Sequence, residues 1–486
     1  MHYHISIADV EQHFIQLKYT ISHLHQDSIE LQLPAWRPGR YELQNFAKNV
    51  RLFSVTDDKG NAVHYRKITK DRWLVNTKGL QTICVSYQYY AHQPDAGACE
   101  VNGHYLYINP VHCLMYVEGR MDEPYVLDFD LPSDYRIASQ MEQTSVHQLS
   151  APNFDYAVDS PLFASNCLEH HQFKVAETTV HIWFQGSHPF DINRLIEDTK
   201  AYALAQIHVF GDLPCKDYHF LYLMHNVPAR HGVEHLDSTV ISLGQLADQT
   251  HEEFYHDLLA ISSHELFHLW NIKRIRPEEM LPYDFTKENY STLGYVYEGV
   301  TTYYGDLMLL QSGVWSWVQY AASFSSDLKR HTDNSGRFNY SVAESSWDTW
   351  LDGYVQGVSG RKVSIYIEGM MAAVIADITI ISKSKGKYSL HNVMQDLYQK
   401  YYKHGRGYSE TIYRELLEHY SGVSFNRYFE DFIWGKGKLL NGLEEALQLV
   451  GCTLNSNKHS NLVLAKRNKL SEVEQLAFDK WTTLQN

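Results

Sequence analysis

From Met1 to about Asn166 the chain runs in short stretches of alternating apolar and polar residues separated by turn formers. "HFIQLKYTI", "SIELQLPAW", "RWLVNT", "TICVSYQYYA" and "YVLDFDL" are rich in β-branched and aromatic residues, and several alternate with the period of two that a half-buried strand requires. "RLFSVTDDKGNAVHYRKI" adds two more runs, and its "DDKGN" predicts a hairpin turn joining them. Many short strands in this span predict a β-sandwich-like domain over residues 1–166. The texture then changes. "VHIWFQG" and "HFLYLMHN" read as strands on either side of a helix at 191–210, and from Glu252 onward the apolar spacing is helical. Helices are predicted at 252–271, 298–311, 315–330, 369–382, 390–402, 409–420 and 426–434. The expected fold class is therefore α+β and multidomain, with a mixed region at 167–385 and a helical region at 386–486.

Composition narrows the class. A chain of 486 residues exceeds what one core serves, and domains of roughly 100–200 residues are expected. With 44% hydrophobic and 20% charged residues it is not a disordered composition. A formal charge of −15 argues against a nucleic-acid partner, which needs a cationic surface. The start, "MHYHISIADVEQHF", has neither the basic nor the apolar region of a secretory signal. The most apolar window, "MMAAVIADITIIS", is short and carries Asp377, so it reads as a buried helix and no membrane partner is expected. Six cysteines with no CxxC pair read as reduced thiols, and the location expected is the cytoplasm.

Candidate chemistry sits in "ISSHELFHLWNIKRIRP". On a helix, His264 and His268 share one face and can both bind a metal ion, with Glu265 directed at a metal-bound water. In a chain with 28 histidines the bare string arises by chance in about one case in ten, so its setting decides. Phe254, Leu258, Leu259, Ile261, Leu266 and Phe267 surround it with the apolar wall that a metal site needs.

A catalytic zinc commonly takes three protein ligands and keeps a fourth position for water. A third histidine six residues after His268 is excluded, because Arg274 stands there. The remaining solution is a carboxylate: Glu278, Glu279, Glu288 or Glu298. Glu278 and Glu279 lie beside Pro277 and need a tight reversal. Spacing favours Glu298, which opens a new helix and can project inward from its first turn, with Glu288 next.

"HELFHLWNIKRIRP" followed by "YEGVTTYYGD" resembles the glycyl aminopeptidase family of zinc metallopeptidases, relatives of aminopeptidase N. Three further stretches carry the resemblance: "LPAWRPGRYELQNFAKNV", "HGVEHLDSTV" and "VSIYIEGMMAAVIADITI". The match runs on to "FNRYFEDFIWGKGKLLNGLEEALQLVG" and so covers nearly the whole chain. Read alone, the first of the three is a turn at Pro38-Gly39 that ends a strand.

The resemblance implies a thermolysin-like catalytic domain at 167–385 and one zinc ion per chain on His264, His268 and Glu298. It implies Glu265 as general base and Tyr366 as donor to the oxyanion, with Tyr303 and Tyr304 as rival phenols. Glu234, with Gly232 in the same loop, is implied to bind the free α-ammonium of a peptide substrate, and Gly or Ala is the N-terminal residue implied. Three departures stand out: His231 replaces the first glycine of a Gly-Gly pair, Glu368 stands where the family has lysine, and the PDZ domain common after this point is not expected. Arg274 and Arg276 read as structural, and His231 and His235 as loop hydrogen-bonders. The rival readings are a zinc endopeptidase and a non-catalytic peptide-binding protein on a peptidase scaffold.

Overall fold

The computed structural model describes residues 1–484. The first 166 residues build three sheets. A seven-stranded sheet has its centre in His2–Asp9, Phe14–Ser22 and Thr82–Tyr90, and two four-stranded sheets complete the domain. In Phe14–Ser22 every second residue, Ile15, Leu17, Tyr19 and Ile21, is fully buried, as the alternation predicts. The "DDKGN" turn forms, with Asp57 N donating to Asn61 O at 2.9 Å, but its flanks make only one bridge, Thr56 to Ala62. Val50–Asp57 then pairs with Thr82–Tyr90 in one sheet and Tyr65–Thr69 with Arg72–Asn76 in another. The expected hairpin is thus a corner between sheets. Phe53 explains it, because its ring packs on both Trp73 and Tyr65 across the gap, at 4.8 and 4.9 Å.

The second region is a five-stranded sheet ordered Glu169–Val175, Thr178–Gln185, Asp217–Met224, Ser238–Gly244 and Ala229–Glu234, which leaves the last strand at an edge. The helix Ile192–Phe210 crosses between the parallel strands Thr178–Gln185 and Asp217–Met224, capped at Asp191. The helix His251–His268 follows Ser238–Gly244, started by a capping box between Thr250 and Glu253.

The apolar helix Ile365–Lys383 has mean hydropathy 1.7, enough to cross a membrane by composition, yet 83% of that window is buried inside the protein. It starts four residues earlier than its apolar run because Ser364 caps it. C-terminal helices pack on it, and one hydrophobic core runs from Val175 through Leu447 to Trp481. All six cysteines are unpaired.

Candidate active site

Regular helix stops at His268 and hydrogen-bonded turns carry the chain on, so that Asn271 O returns to His268 Nδ1 at 2.7 Å. That contact assigns a proton to Nδ1 and turns Nε2 toward His264 and Glu298. One turn apart, the Nε2 atoms of His264 and His268 lie 3.0 Å from each other. Glu298 Oε2 stands 3.3 Å from His268 Nε2 and 3.9 Å from His264 Nε2.

Glu298 lies in the first turn, as spacing predicts, but it does not open the helix. The helix starts at Gly294, and Glu298 sits within a π-helical stretch, Tyr295–Val300, ahead of Thr301–Gln311. The apolar run Tyr295, Val296 and Tyr297 is buried and extends the helix backward, while Asn271 Nδ2 donates to the Val296 carbonyl at 3.0 Å. Wide turns of this kind recur at functional sites because they re-aim one side chain. Gly299 meets Gly369 backbone to backbone: a β-carbon on Gly299 would stand 2.3 Å from Gly369 Cα. This contact holds the Glu298 and Tyr366 helices together.

Three carboxylates share the neighbourhood. Glu298 Oε1 accepts from the Tyr41 hydroxyl at 2.8 Å. The other Glu298 oxygen, Glu265 Oε2 and Glu234 Oε1 are buried with no hydrogen-bond partner in the protein. Burial pushes the Glu265 carboxyl up to about 8, with Glu234 and Glu298 adding to it against the pull of His268. Burial disfavours a charged His268, yet Glu298 outweighs it and lifts the imidazole to about 10. The spot therefore selects positive charge, and carboxylate oxygens left without a donor this deep suit a cation.

The donor set fits one divalent ion. Tetrahedral N and O ligands at about 2.0–2.1 Å from zinc lie about 3.3 Å apart, close to the spacings seen here. The donor atoms of His264, His268 and Glu298 all fall within 4.8 Å of one another, as do those of Glu234, Glu265 and His268. Among the described residues, Glu278, Glu279 and Glu288 join neither group; Glu279 instead accepts from Ser291.

A cleft of about 1570 Å³ opens over this cluster. The edge strand Ala229–Glu234 forms one wall. Gly232 lies on Glu265 so closely that a β-carbon there would come within 2.1 Å of Oε1. Glu234 stands at one end of the strand, with Gly39 against its carboxylate. At the other end, Arg230 is 3.8 Å from Asp257, two helical turns before Glu265. Tyr366 lines the cleft, its ring centroid 6.4 Å from that of His264. Burial, then Glu298, pushes its phenol well above the ordinary range, so it keeps its proton. Tyr303 and Tyr304 lie elsewhere: Tyr303 donates to Asp377, and Tyr304 stacks on Phe267 in the core.

The other singled-out residues are structural. Arg274 binds Asp237 at 2.8 Å and three backbone carbonyls. Arg276 stacks on Tyr283. His231 meets Asp95 at 2.7 Å and His235 meets Asp159 at 3.0 Å. Glu368 pairs with buried His331 beside a separate small cavity, and the cleft lining does not include it. Sequence reasoning missed Tyr41, Gly39 and Asp159. The "PGRY" turn was visible in the chain, but nothing local ties it to a helix more than 250 residues away.

Comparison with known families and structures agrees with this geometry. Residues 2–166 match the peptidase M61 N-terminal domain and residues 257–372 match the M61 glycyl aminopeptidase model. The structure resembles an aminopeptidase N family protein from Idiomarina loihiensis, 26% identical, with TM-score 0.88 over 97% of this chain and 81% of that one. It shares its fold with an M1 zinc metallopeptidase from Deinococcus radiodurans, 12% identical, with TM-score 0.55 over 90% and 94% of the two chains. A mutant of that enzyme bound to a Tyr-Ser-Ala substrate gives TM-score 0.54 at 13% identity over the same shares. No curated protein matches the chain. The two family models together cover more than half of the residues, and the chain belongs to the M61 glycyl aminopeptidase family of metallopeptidases.

Proposed function

We propose that the protein is a zinc-dependent aminopeptidase that releases small N-terminal residues, Gly or Ala, from peptides. The observation that carries this reading is the Glu234 carboxylate, which has a buried, unpaired oxygen and a donor atom within 4.8 Å of those on Glu265 and His268. A carboxylate held there is placed to bind an ammonium group and so to select a peptide's free end by charge-assisted hydrogen bonds. His264, His268 and Glu298 would hold one zinc ion, the metal favoured by a buried two-imidazole, one-carboxylate set. When bound, zinc supplies a water acidified to about pKa 7 and polarises the scissile carbonyl.

The chain's own groups do the rest. Glu265, under Gly232, takes the water's proton as it attacks and passes it to the leaving amine. Tyr366, kept protonated by burial, donates to the oxygen on which negative charge develops. Glu234 holds the ammonium, and the edge strand aligns the peptide between these groups.

The test is metal analysis together with rates on glycyl and alanyl amides, their acetylated forms and the Glu265→Gln variant. Expected are one zinc per chain, cleavage only of free-amine substrates, and a loss of roughly 10²- to 10⁴-fold in kcat for the variant. Equal cutting of acetylated peptides would make it an endopeptidase. Wild-type turnover by Glu265→Gln would refute the assigned base.

A further inference from the structure

Residues 353–364, between the helices Thr349–Asp352 and Ile365–Lys383, form no helix or strand. This loop carries exposed Val355 and Val358, yet Tyr354 joins Gly39, Glu234 and Tyr366 in lining the cleft. The loop is tied down at its far end by Arg361, which reaches Asp348 at 2.6 Å and Asp352 at 2.8 Å. Tyr354 itself is seated on the N-terminal domain. Its hydroxyl accepts from Tyr41 N at 3.3 Å and donates to Gly39 O at 3.5 Å, and the Arg40 guanidinium lies 4.2 Å from the ring centroid. A β-carbon on Gly39 would stand 2.4 Å from Glu234 Oε2, so the residue that receives the Tyr354 hydroxyl also abuts the Glu234 carboxylate.

These contacts place an aromatic ring one glycine away from the carboxylate assigned to the ammonium. A peptide with its ammonium on Glu234 and its first carbonyl at the metal has its first α-carbon between them. The edge strand lines one side of the cleft, and Gly39, Tyr354, Tyr366 and Ile367 line it too. We infer that the Tyr354 ring closes the space for the side chain of the substrate's first residue and so determines the preference for Gly or Ala. The inference rests on the aminopeptidase reading and goes beyond it by assigning the size limit to one ring.

The preference acts by exclusion. With the ring seated on Gly39, Arg40 and Tyr41, each added methylene on the substrate costs contact geometry at the reacting carbonyl, and such differences are worth roughly 10- to 200-fold per group. Because Tyr354 is 39% exposed, shortening it leaves the core intact.

The experiment measures kcat/KM of the zinc-loaded, full-length protein for Gly-, Ala-, Leu- and Phe-p-nitroanilide. It compares wild type, Tyr354→Ala and Tyr354→Phe, with melting temperatures for each. Tyr354→Ala is expected to raise the Leu-to-Gly ratio by at least roughly tenfold. Tyr354→Phe retains the wild-type ratio, since the ring rather than the hydroxyl fills the space. A folded Tyr354→Ala with an unchanged ratio overturns the inference and leaves the aminopeptidase reading standing. So does a wild type that already favours Leu over Gly. If Tyr354→Ala fails to fold, Tyr354→Leu, which is apolar but smaller, must raise the ratio in the same direction, and an unchanged ratio is equally fatal. A wild type that cleaves none of the four amides refutes the aminopeptidase reading, and this inference with it.

Discussion

The Tyr41 hydroxyl donates to Glu298 Oε1 across 2.8 Å, although 257 residues separate the two in the chain. A loop of the N-terminal β domain thereby reaches into the donor cluster and orients the Glu298 carboxylate, leaving Oε2 facing the histidines. Outer partners of this kind fix a ligand's direction and basicity. The N-terminal domain is therefore part of the site.

Tyr41→Phe removes that donor and keeps the ring. Zinc affinity is expected to fall roughly 10- to 100-fold, measured by competition with a chromogenic chelator. Unchanged affinity would mean that Glu298 is held by packing alone.

Gly39 has φ +78°, and its α-carbon faces the Glu234 carboxylate. Gly39→Ala adds a left-handed strain of about 1–2 kcal/mol and pushes Glu234 away. KM for a glycyl amide is expected to rise at least tenfold, on the order of the 1.4 kcal/mol that a displaced charge contact is worth, with bound zinc unchanged. Steady-state kinetics with metal analysis checks both, and a normal KM would dissociate Glu234 from ammonium binding.

Gly232→Ala tests the same edge strand two residues before Glu234. Its β-carbon would overlap Glu265 Oε1 at 2.1 Å, so the base must shift. The expected loss in kcat is about 100-fold with zinc retained, because a displacement near 1 Å costs that much. Wild-type kcat in a zinc-loaded variant would show that Glu265 does not act from this position.

Asp159 ties three parts together: it meets His235 at 3.0 Å, the Leu236 amide at 2.9 Å and Lys273 at 2.9 Å. Burial alone would raise its pKa, but Lys273 and His235 outweigh this and hold it at about 2. A depressed acid stabilises the fold above its unfolded pKa of about 3.9 and loses that contribution as pH falls toward the folded value. Asp159→Asn is expected to cost about 2 kcal/mol at pH 7, with the gap to wild type narrowing between pH 4 and pH 2. Urea unfolding across that range measures it, and a gap independent of pH would contradict the ion-pair account.

Much of the architecture was legible because it is local. Alternation in Phe14–Ser22 needs only its own residues to specify a strand with one buried face, and the burial of Ile15, Leu17, Tyr19 and Ile21 follows. The "DDKGN" turn was equally legible as a turn. What its flanks would pair with was not, since Phe53 chooses the corner only once Trp73 and Tyr65 are in place.

The same division runs through the site. Helical geometry by itself sets His264 and His268 side by side, because residues four apart share a face whatever surrounds them. The chain also marks Glu298 as an acid in a helix at workable spacing. Only the folded structure decides that Glu298 points at those imidazoles, that Tyr41 steers it, and that Tyr366 stands at the cleft while Tyr303 and Tyr304 face the core. Those choices depend on Gly299 packing on Gly369, on Gly232 admitting Glu265, and on Gly39 admitting Glu234. Each is an approach between segments far apart in sequence, decided by the absence of a side chain. A one-dimensional pattern carries no record of which atoms that absence lets in.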